Sequence, residues 1–369
     1  MTCSVQDFFV RFLLISMEGD LKSSSSFTIG NTAQETGLSY LPDCYVFPPS
    51  HRPSLAPEVA NVPIIDFAML KQNPGQRAQV IRAIGNACRR LGYFQIINHG
   101  ICPTTLEGAL SAASDYFELP MEEKIKLMSN DVRKPVRYGT SIRDGTDKFQ
   151  FWRVFLKHYA YPLSDWLDLW PNNPPHYREK MGKYCQEARK LALELMAAIT
   201  ESLGLGPTYL GSKMEEGVHV MAVNCYPPCP KPDMALGLPP HSDYSCLTIL
   251  LQSSPGLEIM DPEDGKWKAV PDQLHGTLQV QVGDHVEVLS NGLYKSILHR
   301  VTLNSQKTRI SIASLHSLGA DEKMGTAKEL VDDQHPERYK ESSFRDFLNF
   351  ISSNDIGEGK SFKSTLIRH

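Results

Sequence analysis

Apolar residues in the first half of the chain recur mainly at the spacing of an α-helix. Over residues 76–91 they stand three and four positions apart, at Val80, Ile81, Ile84, Cys88 and Leu91. This periodicity predicts an amphipathic helix, and similar patterns predict helices over 104–118 and roughly 175–203. Two short apolar runs, 62–67 and 92–97, are rich in β-branched and aromatic residues and predict strands instead.

After about residue 215 the pattern changes to short strand-like runs that are separated by Gly, Pro, Asn and Asp. The predicted strands cover 218–224, 247–252, 257–260, 266–270, 277–282, 286–289, 295–303 and 309–315. About eight short strands in such a stretch are typical of a double-sheet jelly roll or a barrel. One further helix is predicted near 342–352. By contrast, residues 18–60 are rich in Ser and Pro and have weak periodicity, which favours a mobile arm.

The order of these elements predicts an α+β protein in which a helical N-terminal region packs on a jelly-roll core, a double-stranded β-helix. No flexible linker separates the two parts, so we expect one integrated fold. The predicted regions are a flexible N-terminal arm (1–60), a region of helices and short strands (61–170), a long helix and its connection (171–214), the jelly roll (215–317) and a C-terminal extension with one helix (318–369).

Composition excludes several classes of function. The chain has 38 Lys and Arg against 42 Asp and Glu, a net charge of −4, and no strongly basic stretch. We therefore expect no nucleic-acid partner, because phosphate binding needs clustered cations. No apolar run reaches the ~20 residues that span a bilayer, so we expect no membrane association. The eight cysteines are dispersed, which favours reduced thiols in a cytoplasmic protein, with a nuclear location also open. A monomer is the default expectation.

The start of the chain is ambiguous. Residues 1–16 contain a short apolar patch that Arg11 interrupts and Asp7 precedes, which makes a poor signal peptide. Met17 offers a second start for translation, so it stays open whether residues 1–16 belong to the native protein.

His241, Asp243 and His299 carry the strongest chemical signal. His241 and Asp243 are two residues apart, and in an extended segment that spacing points both side chains to the same face. His299 follows on another predicted strand. Two imidazoles and one carboxylate form the facial triad of non-haem Fe(II) centres, which leaves three coordination positions open. An HxD pair with a distant His also arises by chance in many sequences. The strand context and a second motif are therefore needed to support a metal site.

Arg309 and Ser311 form that second motif, again with two side chains on one face of a predicted strand. A guanidinium binds a carboxylate through two parallel hydrogen bonds, and a nearby hydroxyl adds a donor. Because a buried arginine is costly unless it is paired, Arg309 needs a partner. The partner is either the distal carboxylate of a dicarboxylate cosubstrate or, alternatively, an Asp or Glu of the chain itself.

With these motifs in combination, the chain resembles the plant iron(II)/2-oxoglutarate-dependent oxygenases from about residue 37 to 365. The segments that carry the resemblance are 63–66 (PIID), 92–100 (GYFQIINHG), 224–230 (NCYPPCP), 240–243 (PHSD), 289–300 (LSNGLYKSILHR) and 309–311 (RIS). Within the family it is most similar to a plant subgroup that carries 137–141 (RYGTS) and 151–153 (FWR). That subgroup is often labelled flavanone 3-dioxygenase-like, and a gibberellin-oxidase-like role is also considered.

The resemblance implies an Fe(II)- and 2-oxoglutarate-dependent dioxygenase, with O2 as second cosubstrate and ascorbate as reductant. The implied site residues are His241, Asp243 and His299 for Fe(II), and Arg309, Ser311, Tyr226 and Asn224 for 2-oxoglutarate. The implied reaction is oxidation, above all hydroxylation, of a small hydrophobic plant metabolite such as a flavonoid or a terpenoid or gibberellin precursor. Desaturation and O-demethylation by the same family stay open, as does a non-catalytic jelly-roll protein that binds a metal or a ligand.

A substrate wall is harder to predict. The candidates, weighed against ordinary packing, are Tyr138, Phe151, Phe155, Tyr244, Leu315 and His316. Such residues suit a small apolar or aromatic substrate. Gln279 and Gln281 stand where the family usually has an apolar residue and Asn. Both point the same way, either into the pocket, where they would alter substrate choice, or to solvent; we expect solvent or the pocket rim.

Overall fold

A computed structural model of the protein describes residues 27–28, 31–32, 37–140, 150–271, 276–354 and 361–368. Residues 1–16, Met17 and Ser141 lie outside this part of the chain. The expectations about the start of the chain therefore stay predictions.

The described residues form fourteen strands. They are β1 (Phe27–Thr28), β2 (Asn31–Thr32), β3 (Ile64–Asp66), β4 (Tyr93–Ile97), β5 (Val136–Gly139), β6 (Val154–Tyr161), β7 (His219–Tyr226), β8 (Leu238–His241), β9 (Leu247–Gln252), β10 (Leu257–Met260), β11 (Trp267–Ala269), β12 (Leu278–Val282), β13 (His299–Val301) and β14 (Arg309–His316).

Nine α-helices lie in the same described ranges. They are α1 (Pro74–Arg90), α2 (Pro103–Phe117), α3 (Met121–Lys124), α4 (Leu163–Trp166), α5 (Tyr177–Ser202), α6 (Gly211–Glu215), α7 (Asp284–Leu289), α8 (Phe344–Ser353) and α9 (Phe362–Leu366). Short 3-10 helices occur at Asp43–Tyr45, Pro49–His51, Phe67–Lys71, Ile125–Leu127, Leu167–Leu169 and Lys328–Leu330.

Local chemistry explains where the main helices begin. Pro74 and Pro103 occupy the first position of α1 and α2, where the missing N–H loses no helical hydrogen bond. Before α8, Ser343 and Asp346 form a capping box, in which each side chain accepts from the other residue's backbone N–H. These signals fix the helix starts independently of tertiary packing.

Two sheets form the core of the fold. The major sheet has eight strands in the order β3-β4-β12-β9-β14-β7-β6-β5, and the minor sheet has four in the order β11-β10-β13-β8. Only β3 and β4 pair in parallel, and the other neighbours in these two sheets are antiparallel. An apolar cluster between the sheets includes Leu250, Ile259 and Val301. The expected α+β fold with a jelly-roll core is confirmed.

The long helices cover the outer face of the major sheet. The largest buried cluster joins helix residues such as Ile84 and Leu195 to the strand residues Met221, Ile249 and Ile312. Since side chains alternate along a strand, the residues between these strand positions lie on the inner face, toward the minor sheet. The inner face of the major sheet is therefore where Arg309 and its neighbours lie.

The N-terminal half contributes four strands to the major sheet, two of which the apolar pattern does not predict. These two, β5 and β6, lie at one edge, and β6 pairs with β7 over most of its length. Lys157 of β6 stands opposite Ala222 of β7 and Arg137 of β5. The helical N-terminal region is thus part of the sheet and also covers it.

Part of the stretch that was expected to form a flexible arm is packed. Tyr45 and Phe47 are buried. The Tyr45 ring lies 5.0 Å from the Trp152 ring, and the Phe47 N–H donates to Met234 O at 2.9 Å. These contacts attach the segment to the core.

One predicted strand is wrong. Residues 286–289 belong to helix α7, which begins after Gly283 with Asp284 and Glu287 in its first turn. Val286, Val288 and Leu289 are all buried, and a short apolar run of this kind does not distinguish a strand from a buried helix. The predicted strand 295–303 is also much shorter, since only β13 pairs there.

Candidate active site

The minor sheet brings the three residues of the predicted triad together. His241 ends β8 and stands directly opposite His299 of β13, while Asp243 follows in the loop after β8. Both His241 Nε2 and His299 Nε2 lie 3.6 Å from Asp243 Oδ1. All three ligand atoms lie within 4.8 Å of one another, as one metal ion requires.

Backbone contacts fix the orientation of both imidazole rings. His241 Nδ1 donates to Pro239 O at 2.8 Å, and His299 Nδ1 donates to Ile297 O at 3.2 Å. With the proton on Nδ1, each Nε2 keeps its lone pair for a metal. Burial, and then the adjacent His299 imidazole, lower the pKa of His241 to about 3, so this ring is neutral. The donor set therefore fits a divalent transition metal.

Helix α7 positions the loop that carries Asp243. The Asp284 N–H donates to Asp243 O at 2.9 Å, and the N–H groups of Gly283 and His285 donate to Cys246 O and Ser245 O, both at 3.1 Å. The fit is close, because a Cβ at Gly283 would lie 2.1 Å from Ser245 O. The segment that was wrongly expected to be a strand thus supports the triad.

Arg309 and Ser311 lie on the inner face of the major sheet, opposite Tyr226 and Asn224 of β7. The buried Arg309 guanidinium donates from Nε to Ser254 O at 3.0 Å and lies 5.1 Å from the centre of the Tyr226 ring. Its Nη1 is buried without a hydrogen-bond partner. Within the described ranges Arg309 forms no ion pair with Asp or Glu, so the alternative of a structural salt bridge finds no partner there.

The amide of Asn224 is held by protein atoms. Its Oδ1 accepts from Arg153 Nη1 at 2.8 Å, and its Nδ2 donates to Ala222 O at 3.0 Å. Asn224 therefore links the Arg309–Ser311 position to Arg153, a residue that the sequence indicated only as part of the 151–153 motif.

A cavity of about 400 Å³ opens beside His241 and Asp243. Three of the predicted wall residues line it: Phe155, Tyr244 and Leu315. Aromatic residues of the C-terminal helices line it as well, among them Phe344, Phe347 and Phe362. The aromatic wall is continuous, since the Tyr244 ring stacks on Phe347 at 4.7 Å and meets Phe362 at 5.1 Å. The spacing of three between Phe344 and Phe347 in the predicted helix 342–352 is the sequence signal for this wall.

Three basic residues line the other side of the cavity. They are Arg137, Arg153 and Lys157, all from strands or loops of the N-terminal half. The two guanidinium carbons lie 4.9 and 4.7 Å from the centre of the Phe155 ring, which is cation–π distance. None of the three was a predicted site residue, because the strands that present them were not predicted.

Comparison with known proteins agrees with this geometry. The model of the 2OG-Fe(II) oxygenase superfamily matches residues 217–317, and a model described as non-haem dioxygenase in morphine synthesis N-terminal matches 62–176. The 2-oxoglutarate-dependent dioxygenase 21, chloroplastic, of Oryza sativa subsp. japonica is 50% identical over 82% of this chain and 90% of its own length. The chain belongs to the 2OG-Fe(II) oxygenase superfamily. It is a 2-oxoglutarate-dependent dioxygenase that uses Fe(II).

Two further proteins are similar to this oxygenase. Flavanone 3-dioxygenase 3 of the same rice subspecies is 49% identical over 83% of this chain and 93% of that protein. The crystal structure of JOX2 in complex with 2OG, Fe and JA has a TM-score of 0.82 and 30% identity, and the match covers 94% of this chain and 99% of that one. The resemblance to plant oxygenases that the motifs indicated is confirmed.

Three expected wall residues of the oxygenase lie elsewhere. Tyr138 packs against Tyr116 at 6.5 Å, Phe151 stacks on Phe47 at 6.3 Å, and His316 stacks on His219 at 4.1 Å. Tyr138 and His316 are next to residues that do line the cavity, and neighbours along a strand point to opposite faces. The expectation that they face a substrate is therefore corrected.

The expected exposure of Gln279 and Gln281 in the oxygenase is also wrong. Both side chains are buried. They lie on the inner face of β12, where Gln279 stands opposite Gln95 of β4 and accepts a hydrogen bond from the Tyr93 hydroxyl. The two glutamines thus place polar groups inside the jelly roll.

Among the described residues, no helix of the oxygenase has the length and apolar character to cross a bilayer.

Proposed function

We propose that His241, Asp243 and His299 are the Fe(II) ligands of this oxygenase. The observation that carries the proposal is the convergence of both Nε2 atoms on Asp243 Oδ1, each at 3.6 Å, with both Nδ1 atoms already bonded to backbone carbonyls. Small side-chain rotations bring these atoms to the spacing that ligand bonds of about 2.1 Å require.

The 5-carboxylate of 2-oxoglutarate is proposed to bind Arg309 and Ser311, with Tyr226 and Asn224 beside it. The unpartnered Nη1 and the lack of an acidic partner for Arg309 in the described chain support this role, because a buried guanidinium needs an anion. Gly256 leaves room for the side chain, since a Cβ there would lie 2.9 Å from Arg309 Cδ.

The chain contributes orientation and shielding to the reaction. When bound, iron and 2-oxoglutarate supply the oxidising chemistry, in which O2 is reduced as the cosubstrate loses CO2 and a substrate bond is oxidised. His241 and Asp243 also line the cavity, so a substrate in the cavity lies next to the triad. Phe344, Phe347 and Phe362 line the cavity, and we infer that these apolar side chains keep water from a bound substrate, which strengthens the polar interactions at the triad.

The proposed substrate is a small hydrophobic plant metabolite, such as a flavonoid or a terpenoid or gibberellin precursor, and the proposed reaction is hydroxylation. The aromatic wall, the volume of about 400 Å³ and the flavanone 3-dioxygenases among the relatives support this class. Desaturation and O-demethylation are distinguished from hydroxylation by product mass, as loss of two hydrogens or of a methyl group instead of gain of an oxygen. Ascorbate is the proposed reductant.

The test is substrate-stimulated release of CO2 from 2-oxoglutarate, combined with the visible charge-transfer absorption of anaerobic protein with Fe(II) and 2-oxoglutarate. His241→Ala and Asp243→Ala should abolish both signals, and Arg309→Ala should raise the 2-oxoglutarate concentration that is needed. His335→Ala is the matched control, because His335 also contacts an aspartate, Asp332, at 2.9 Å, but on the surface. Full CO2 release by the His241 or Asp243 variant contradicts the proposal.

We further propose that the oxygenase acts as a cytoplasmic monomer without a nucleic-acid partner. The net charge of −4 and the lack of a basic stretch support the last point. One relative is named chloroplastic, so fractionation of plant cells into cytosol, nuclei and chloroplasts is the deciding experiment for location. Light scattering of the purified protein tests the monomer.

A further inference from the structure

Lys157 is a basic residue of the cavity wall. It lies on the inner face of β6, directly opposite Ala222 of β7. Its Nζ donates to a single backbone carbonyl, Val132 O, at 3.0 Å and lies 4.8 Å from the Tyr159 ring centre. Within the described residues it forms no ion pair, and its ammonium group has capacity for two more acceptors.

Within the described residues, no acidic side chain of the cavity wall lies within ion-pair distance of the Lys157 ammonium, and Asp131, outside the wall, attracts it from further away. The acidic residues of the wall are Asp243, which belongs to the triad, and Asp284, whose Oδ1 lies 3.6 Å from Lys363 Nζ. Arg137, which stands opposite Lys157 on β5, and Arg153 also line the cavity. The aromatic side chains of the wall are apolar, so the cavity combines the Lys157 ammonium with space for an apolar body.

We propose that the substrate carries a carboxylate, which Lys157 Nζ binds while the aromatic wall holds its apolar body; this rests on the proposed function. An ammonium group in an apolar wall has lost much of its hydration, and a carboxylate within hydrogen-bond distance restores that interaction. In agreement, burial, and then the nearby Arg137, lower the pKa of Lys157 to about 7, against the smaller opposite effect of Asp131. A bound carboxylate would raise this pKa again, because it stabilises the charged form.

The alternative is a purely structural lysine that holds the loop at Val132. The two roles differ in what the charge recognises, so the experiment compares acids with their esters. Aryl carboxylic acids of one to three rings, each paired with its methyl ester, are titrated calorimetrically into anaerobic protein with Fe(II) and 2-oxoglutarate. At least one acid should bind about 10- to 100-fold more tightly than its ester, the range of one hydrogen bond to a charged group.

Variants then locate the preference. Lys157→Met keeps most of the length of the side chain without its charge and should reduce the acid-to-ester ratio to about 1, whereas Lys157→Arg should keep the preference for the acid. Lys295→Met is the matched control, because the Lys295 ammonium also donates to one backbone carbonyl, at 2.8 Å, and lies outside the cavity. Equal binding of acids and esters by the native protein overturns the proposal, as does a preference that survives in Lys157→Met.

Thermal unfolding shows whether Lys157→Met has a folding defect. If it has, the proposal is tested by comparing acid with ester binding in the native protein and in Lys157→Arg. The charge-transfer absorption with Fe(II) and 2-oxoglutarate reports separately on the proposed function. If that absorption is present and the acid preference is absent, only the carboxylate proposal fails. If the preference is present and the absorption is absent, the metal assignment fails instead.

Discussion

Replacing Gly283 with alanine tests how the triad is positioned. The backbone of Gly283 has a φ of −91°, which alanine adopts without strain, so only the added methyl group matters. That Cβ would lie 2.1 Å from Ser245 O, 2.7 Å from Ser245 C and 2.7 Å from Ser245 Oγ. Since carbon and oxygen atoms at rest are more than 3 Å apart, the loop that carries Asp243 must move by roughly 1 Å.

The consequence is a displaced metal ligand in a folded protein. We expect the affinity for Fe(II) to fall about 10- to 100-fold, the usual cost of disturbing a residue that orients a ligand. The free energy of unfolding should fall by about 1–3 kcal/mol, as for other overpacked sites. Anaerobic Fe(II) titration, followed by the charge-transfer absorption, measures the first quantity, and chemical denaturation without metal measures the second.

Gly211→Ala is the control, because a Cβ there meets nothing within 4 Å at the start of α6. It should leave Fe(II) affinity unchanged and stabilise the helix slightly. If Gly283→Ala folds and keeps native Fe(II) affinity, the contact between α7 and the Asp243 loop does not position the ligand, and our reasoning is refuted.

Three other changes have defined outcomes. Affinity for a carboxylic acid should be highest between about pH 5 and about pH 7, where the ligand is a carboxylate and Lys157, with its pKa of about 7, is an ammonium. It should fall above about pH 7 as Lys157 loses its proton; calorimetry at several pH values measures this, and a flat profile contradicts it. Gly256→Ala should raise KM for 2-oxoglutarate several-fold, because its Cβ would lie 2.9 Å from Arg309 Cδ and its φ of +147° also disfavours a side chain, so that the surroundings of Arg309 must shift; an unchanged KM contradicts this. Lys363→Met leaves the buried Asp284 without its cation and should lower the free energy of unfolding by about 2 kcal/mol, as denaturation at neutral pH will test.

The triad and the arginine motif could be predicted because their information is local. His241 and Asp243, like Arg309 and Ser311, are two residues apart, and a strand puts such pairs on one face whatever surrounds it. The pairing of β8 with β13 then brings His299 opposite His241, which no short segment reveals. The residue types of the triad therefore indicate a metal site without knowledge of the strand pairing.

The misplaced elements lack such local information. Strand β12 is covered on both faces, so Gln279 and Gln281 give no alternation of buried and exposed residues from which to choose a face. The alternation of Val286 and Val288 is compatible with a strand, and only the contacts of Gly283 and Asp284 with the loop after β8 select a helix. The cationic side of the cavity depends on the pairing of β6 with β7, two strands that are far apart in the sequence.

That pairing has a consequence for how such oxygenases diversify. The two family regions, 62–176 and 217–317, are separate in sequence, yet β6 of the first and β7 of the second are neighbours in one sheet. A chimera joined between them would inherit its metal and cosubstrate residues from one parent and its Lys157 position from the other. Recombination at this junction can therefore change the residue that binds the substrate while the metal and cosubstrate residues stay the same.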